Sequence, residues 1–209
     1  MRDFSLYVIL DRVLQKGRSH LEVAREAIRG GATVIQLREK NLPTRPVFEE
    51  ALKLRQLTRE LDVLFIVNDR LDVALAVSAD GVHLGEEDLP VDVARKLAPD
   101  FIIGCSCDTV ERARELERLG ADYLGVGTVF PTATKKDAGE PIGLDRLKEI
   151  KQAVCIPVIA IGGITLSNLD AVLETGVDGV AVVSAIVGAD SVFEAASLFR
   201  RKIDAWRKK

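Results

Sequence analysis

Asp69 and Asp88 each lie just beyond a short apolar run, and Arg38, Lys40 and Lys135 follow two others. Two carboxylates, completed by substrate phosphates and water, form the oxygen shell that Mg²⁺ prefers. Either Asp could equally cap its own loop. The three cations tilt the balance toward an anionic, metal-chelated substrate. Gly162-Gly163 and the later Ser184 form a second candidate site, because bare glycine lets a phosphate approach backbone N–H groups; a simple turn is the alternative. The stretch from Thr128 to Gly143 is rich in Thr, Pro, Lys and Asp and has the length and polarity of an active-site lid, or of a passive surface loop. Cys105 and Cys107 alternate with Ser106, so the two thiols should pack as small hydrophobes on the face opposite the serine. His20 is expected to be exposed before a helix, and His83 to be a satisfied core residue. No motif supports a Ser-His-Asp triad or a zinc site.

These residues need elements to position them. Eight short runs rich in Val and Ile read as buried strands: 5–10, 33–38, 64–68, 81–84, 102–106, 123–127, 157–161 and 179–183. Amphipathic helical patterns alternate with them at 21–29, 45–61, 72–77, 91–97, 110–119, 144–152, 166–174 and 192–206. A phrase recurs where helix returns to strand: Gly30-Gly31-Ala32-Thr33, Ala79-Asp80-Gly81-Val82, Gly120-Ala121-Asp122-Tyr123 and Gly176-Val177-Asp178-Gly179. Glycine there ends a helix in the left-handed conformation. Eight strand–helix units without a linker predict an α/β fold, a single (β/α)₈ TIM barrel occupying residues 1–209. A doubly wound sheet fits less well, having fewer strands and a glycine fingerprint after strand 1 that is missing here. In such a barrel the site lies at the C-terminal strand ends. The polar residues gather there: Gln36 to Lys40, Asn68 to Arg70, Gly85 to Asp88, Ser106, Thr128 to Asp137, Gly162-Gly163 and Ser184. Period-two alternation turns Gln36, Arg38 and, if the strand continues, Lys40 to one face, and Ile35 and Leu37 to the other.

The 209 residues carry 29 Lys+Arg against 32 Asp+Glu, a net charge of -3, which argues against a general nucleic-acid binder. With 47% apolar residues the chain can bury its own core, and it holds no apolar run of ~18 residues that would span a membrane. The first residues lack a signal-peptide pattern, and three cysteines make a disulfide framework a poor fit, so a cytoplasmic protein is expected. Three Asn, four Gln and one Met fit either a heat-adapted protein or the drift of a small sample.

Taken in order, Gln36-Leu37-Arg38-Glu39-Lys40, Val67-Asn68-Asp69-Arg70, Gly81 to Gly85 with Asp88, Val126 to Lys135, Ile161 to Ile164 and Val183 to Ile186 resemble the thiamine-phosphate synthase family over nearly the whole chain. The resemblance implies a transferase that joins a pyrimidine methylene diphosphate to a thiazole phosphate and releases pyrophosphate. It implies that Gln36, Leu37, Arg38, Glu39, Lys40, Asn68, Ser106 and Lys135 hold the pyrimidine diphosphate. Thr132, Ala133, Thr134, Gly163, Val183 and Ser184 would hold the thiazole phosphate, and Asp69 and Asp88 would bind Mg²⁺. Arg38, Lys40, Lys135 and Ser106 would carry the catalytic charge and contacts. The expected partners are these two substrates, with no nucleic acid and no membrane; a homodimer stands open. Two positions depart from the family pattern, Asp108 in place of His and Glu86 in place of Gln, each adding negative charge near the proposed diphosphate. Two rivals are a thiazole-phosphate isomerase, which would not need Asp69, Asp88, Lys40 and Lys135, and a non-catalytic phosphate-binding barrel.

Overall fold

In a computed structural model of the chain, which describes residues 2–132 and 140–208, strands and helices alternate from β1 (Leu6–Asp11) to β8 (Gly179–Val182). The intervening strands are β2 (Val34–Arg38), β3 (Leu64–Asn68), β4 (Gly81–Leu84), β5 (Ile102–Cys107), β6 (Tyr123–Val126) and β7 (Val158–Ile161). The helices are α1 (His20–Arg29), α2 (Thr44–Glu60), α3 (Leu71–Ala76), α4 (Val91–Leu97), α5 (Val110–Arg118), α6 (Gly143–Ala153), α7 (Leu169–Leu173), α8 (Ser184–Val187) and α9 (Val192–Arg207). Every strand pairs in parallel with its neighbours in chain order, and β1 pairs with β8, so the sheet closes into a (β/α)₈ barrel. Closure leaves no edge, which is why each strand can be as short as four to six residues and still satisfy its backbone.

The alternation along each strand divides the core in two. Inward side chains such as Tyr7, Ile9, Val34, Ile66, Ile102, Tyr123 and Ile159 fill the barrel. Outward ones such as Val8, Ile35, Leu37, Val67, Cys105 and Cys107 join the layer under the helices. Burial pushes both thiols up to about 12, so they sit there as inert hydrophobes, as their alternation with Ser106 suggests.

The recurring phrase builds one device four times at the N-terminal ends of the strands. A residue with positive φ (Gly31, Ser78, Gly120, Gly176) ends a helix, and two residues later an oxygen side chain accepts from the backbone of the preceding strand. Asp80 Oδ2 accepts from Phe65 N at 2.7 Å, Asp122 Oδ2 from Ile103 N at 2.8 Å, and Asp178 Oδ2 from Val158 N at 2.7 Å. Thr33 Oγ1 does the same for Leu6 N at 3.2 Å. Each Asp also takes a cation from the helix two elements back: Arg55 at 2.8 Å, Arg95 at 2.5 Å and Lys151 at 2.6 Å. The oxygen thus satisfies an N–H that has no ladder partner at the strand end.

Three local expectations change. The helix anticipated from residue 166 begins only at Leu169, because Asn168 Oδ1 accepts from Thr165 N and its Nδ2 donates to Gly163 O, a local turn that competes with helix. The one-turn helix α8 and a 3₁₀ turn at Arg12–Leu14 escape the periodicity because they are shorter than one hydrophobic repeat. His20, expected to be exposed, is fully buried. Its Nε2 lies 2.6 Å from Glu39 Oε1, and Gln15 bonds its Nδ1.

Candidate active site

Two adjoining cavities occupy the C-terminal mouth of the barrel, and Ser106, Ile161 and Val183 form their common wall. The first cavity is bounded by the ends of β1 to β5 and, among the described residues, carries most of the charge. Asp11, Gln36, Arg38, Lys40, Asn68, Asp69, His83, Glu86, Asp88 and Ser106 line it. The second lies over β6 to β8, lined by Thr128, Thr132, Gly162, Gly163, Val183 and Ser184 among mostly small and apolar neighbours. Asp69 and Ser184 therefore open onto one mouth.

Asp69 follows β3 in the left-handed region, at φ 63°, a conformation that Asp tolerates better than most non-glycine residues. Its N–H donates to His83 O at 2.8 Å, which fixes the turn against β4. Asp88 curls back so that its Oδ2 accepts from Gly85 N at 2.6 Å, and its carboxyl acts on that of Asp69. It is at once a loop cap and half of a carboxylate pair. Burial, then the hydrogen bond and negative charge of Asp88, lift the Asp69 carboxyl to about 6, against the pull of Lys40 and Arg38. Lys40 Nζ stands 3.7 Å from Asp69 Oδ2. Two carboxylates pressed together need either a shared proton or a cation. Among the described residues no third His, Cys, Asp or Glu completes a protein cage. That fits an ion which retains water and borrows ligands from a substrate, as Mg²⁺ does.

Arg38 is held by a residue that belongs to none of the charged motifs, Asp11. Asp11, at the end of β1 and buried, accepts from Arg38 Nη1 at 2.8 Å and caps the following turn through Val13 N at 3.1 Å. Its signal was legible, since Asp11 shares the inward face with Tyr7 and Ile9. Tyr7 and Tyr123 lie in apolar runs that give no sign of a polar role, yet their hydroxyls meet 2.8 Å apart inside the barrel. His83 is not sealed in the core: it lines the mouth, with Nδ1 3.0 Å from Tyr123 OH and Nε2 2.9 Å from Ser106 Oγ.

Several residues expected at the site face elsewhere. Leu37 is turned outward into the helix-packed layer, as alternation demands, leaving only its backbone near the mouth. Glu39 is spent on Arg12, at 2.7 Å, and on His20. It braces the β2 loop against the start of α1 and does not line either cavity. Gly163 is glycine for a reason besides ligand approach: at φ +64° a Cβ would come within 2.7 Å of Phe130 Cβ and 2.8 Å of the Phe130 and Pro131 carbonyls. The segment after β6 rests directly on it. Ala133, Thr134 and Lys135 lie outside the described residues. Asp108 is exposed, and so is Glu86 at the rim of the charged cavity.

Fold and mouth together define a class, the small (β/α)₈ barrels that present charged and glycine-rich strand ends to anionic ligands. Comparison with known proteins narrows it. Residues 6–186 match the family described as thiamine monophosphate synthase, and the chain belongs to that family. It is 55% identical over 199 residues to the thiamine-phosphate synthase of Pyrococcus furiosus, covering 95% of this chain and 94% of that one. The thiamine-phosphate synthase of Chloroflexus aurantiacus is 53% identical, over 99% and 96% of the two chains. Among solved structures, thiamine phosphate pyrophosphorylase from Pyrococcus furiosus superposes with a TM-score of 0.92 at 53% identity, over 98% of each chain.

Proposed function

We propose that the two cavities divide the two phosphorylated substrates of a thiamine-phosphate-forming transferase, with the pyrimidine diphosphate on the Asp69 side and the thiazole phosphate on the Gly163 side. The activity itself follows from the family: the chain is an enzyme that joins a pyrimidine diphosphate to a thiazole phosphate and releases pyrophosphate. The observation that carries the division is the asymmetry of the mouth. Among the described residues, carboxylates and cations crowd one cavity, whereas the other offers the glycine backbone of Gly162 and Gly163 and the Ser184 side chain.

The bond from the pyrimidine methylene to the diphosphate oxygen breaks with its electron pair leaving on pyrophosphate. The thiazole nitrogen then supplies its lone pair to the carbon. No proton is lost, so no general base is required, and none of the groups around the mouth needs that role. Arg38 and Lys40 hold the diphosphate and stabilise the charge growing on it. Asp69 and Asp88 would hold Mg²⁺, whose charge would help neutralise the leaving pyrophosphate. Asn68 and the Gln36 and Ser106 side chains orient the pyrimidine, and Val183 and Ile161 keep the facing rings in apolar surroundings that exclude water. Lys135, with Ala133 and Thr134, is assigned to the substrates by the resemblance alone, whereas Thr132 also lines the second cavity. The test is a pyrophosphate-release assay with both substrates, with and without Mg²⁺. Release that needs both substrates and the metal supports the transferase reading; metal-independent turnover removes Mg²⁺ from it.

The same reading includes a cytoplasmic enzyme acting on small molecules without nucleic acid or membrane. A net charge of -3 supports it, and no helix among the described residues is long and apolar enough to cross a membrane. It also includes a homodimer, for which Phe193 and Leu198, exposed on α9, offer apolar surface; a 22.8 kDa species in sedimentation would remove that part.

A further inference from the structure

A continuous hydrogen-bond chain crosses the floor of the charged cavity. Gln36 Nε2 donates to Tyr7 OH at 2.8 Å, Tyr7 OH meets Tyr123 OH at 2.8 Å, Tyr123 OH meets His83 Nδ1 at 3.0 Å, and His83 Nε2 meets Ser106 Oγ at 2.9 Å. Both ends, Gln36 and Ser106, line the cavity, while both tyrosines are buried beneath it. The fold makes room for this chain at some cost in side chains: a Cβ on Gly104 would lie 2.0 Å from the Tyr123 ring, and one on Gly125 would lie 2.9 Å from the His83 ring.

We propose that this chain presets the donor and acceptor pattern of the pocket, making Tyr7, Tyr123 and His83 positioning residues that select an aminopyrimidine over its oxo counterpart. The inference rests on the assignment of Gln36 and Ser106 to the pyrimidine.

The polarity follows link by link. An amide nitrogen only donates, so the Tyr7 oxygen accepts from Gln36 and its own proton goes to Tyr123. Tyr123 then donates to His83 Nδ1, which accepts, so the ring carries its proton on Nε2. That proton goes to Ser106 Oγ, and the serine's own proton is left to point away from His83. Burial pushes both phenols' pKa upward, keeping the donor protons in place. The cavity therefore meets an acceptor at Gln36 Oε1 and a donor at Ser106. An amino group and an unprotonated ring nitrogen are the complement of that pair. A carbonyl at the amino position would face Gln36 Oε1, oxygen to oxygen. Accommodating it needs the amide to flip, and a flip reverses every link as far as Ser106. Buried links that depend on one another resist such reversal.

Tyr123→Phe cuts the chain at its middle while keeping the ring that packs on Phe4. Gln36 and Tyr7 can then reorient without His83. The preference for the amino over the oxo pyrimidine diphosphate, measured as a ratio of kcat/KM, should fall by about tenfold or more, since matched polar groups carry most such discrimination. The KM for thiazole phosphate should not move. Nitrogen-15 spectra of histidine-labelled protein give a readout independent of turnover, because the chain has only two histidines. His83 should show the Nε2–H tautomer in the wild type and a mixture in Tyr123→Phe. Tyr7→Phe cuts the neighbouring link and serves if Tyr123→Phe does not fold. An Nδ1–H tautomer in the wild type, or an unchanged substrate ratio in a folded variant, overturns the proposal. Failure of the wild type to turn over the amino substrate would instead sink the functional assignment, while the tautomer still decides the polarity of the chain.

Discussion

Asp80→Ala should destabilise the protein without touching its chemistry, because the clip it removes sits at the end of the barrel opposite the mouth. One oxygen, Oδ2, takes both the Phe65 N–H at 2.7 Å and Arg55 Nη1 at 2.8 Å. Phe65 is fully buried, so its N–H is left unsatisfied, at a cost of about 1–3 kcal/mol. Arg55 is only 15% exposed, and its buried Nε already has no hydrogen-bond partner, so losing its carboxylate adds about 1 kcal/mol after allowing for solvent screening. The sum, roughly 2–4 kcal/mol, corresponds to a fall in Tm of roughly 5–15 °C for a domain of this size. Thermal unfolding followed by circular dichroism reads this directly. Asp80→Asn retains an oxygen for Phe65 N–H but loses the charge, and should fall about halfway. Combining Asp80→Ala with Arg55→Leu should cost less than the sum of the two, since both remove one interaction. At 25 °C kcat and both KM values should stay at wild-type levels. A Tm within a degree of wild type would refute the reasoning, as would a fall in kcat with Tm preserved.

Asp69→Asn should lower turnover by on the order of 10²-fold or more if it supports departure of the pyrophosphate through a metal; undiminished activity at limiting Mg²⁺ would remove it from that role. The Asp69 carboxyl, lifted to about 6, gives a pH dependence with a definite sign. In metal-free protein its protonated form favours folding below the ordinary carboxylate value, and that contribution is lost as pH rises through about 6. A metal must displace the same proton, so the rise in Tm on adding Mg²⁺ should be full at pH 8 and shrink as pH drops through 6; a shift that grows on acidification would contradict it. Gly163→Ala should destabilise by about 1–3 kcal/mol through its positive φ and the approach of its Cβ to Phe130 and Pro131. Loss of thiazole phosphate affinity with unaltered Tm would show instead that ligand approach alone requires the glycine.

The eight short strands and the helices between them were legible in the sequence, and so was the facing of Gln36 and Arg38 on β2 and of Ser106 on β5. These are local properties: runs of Val and Ile too short for helix, a period of two, and helix ends marked by Gly31, Gly120 and Gly176. The outward packing of Cys105 and Cys107 and the exposure of Ser106 follow from that period alone. The Asp in the recurring phrase was visible too, but not its use, because the N–H it satisfies belongs to the preceding strand and the cation to an earlier helix. Closure of the barrel decided the rest. It brought Tyr7 and Tyr123, 116 residues apart, to a shared hydrogen bond, and set Asp11 on Arg38. It drew His83 from an apolar run into the mouth, and buried His20 against Glu39, taking that carboxylate away from the site. Periodicity states which way a side chain points; only the circular order and register of the strands state what it meets there.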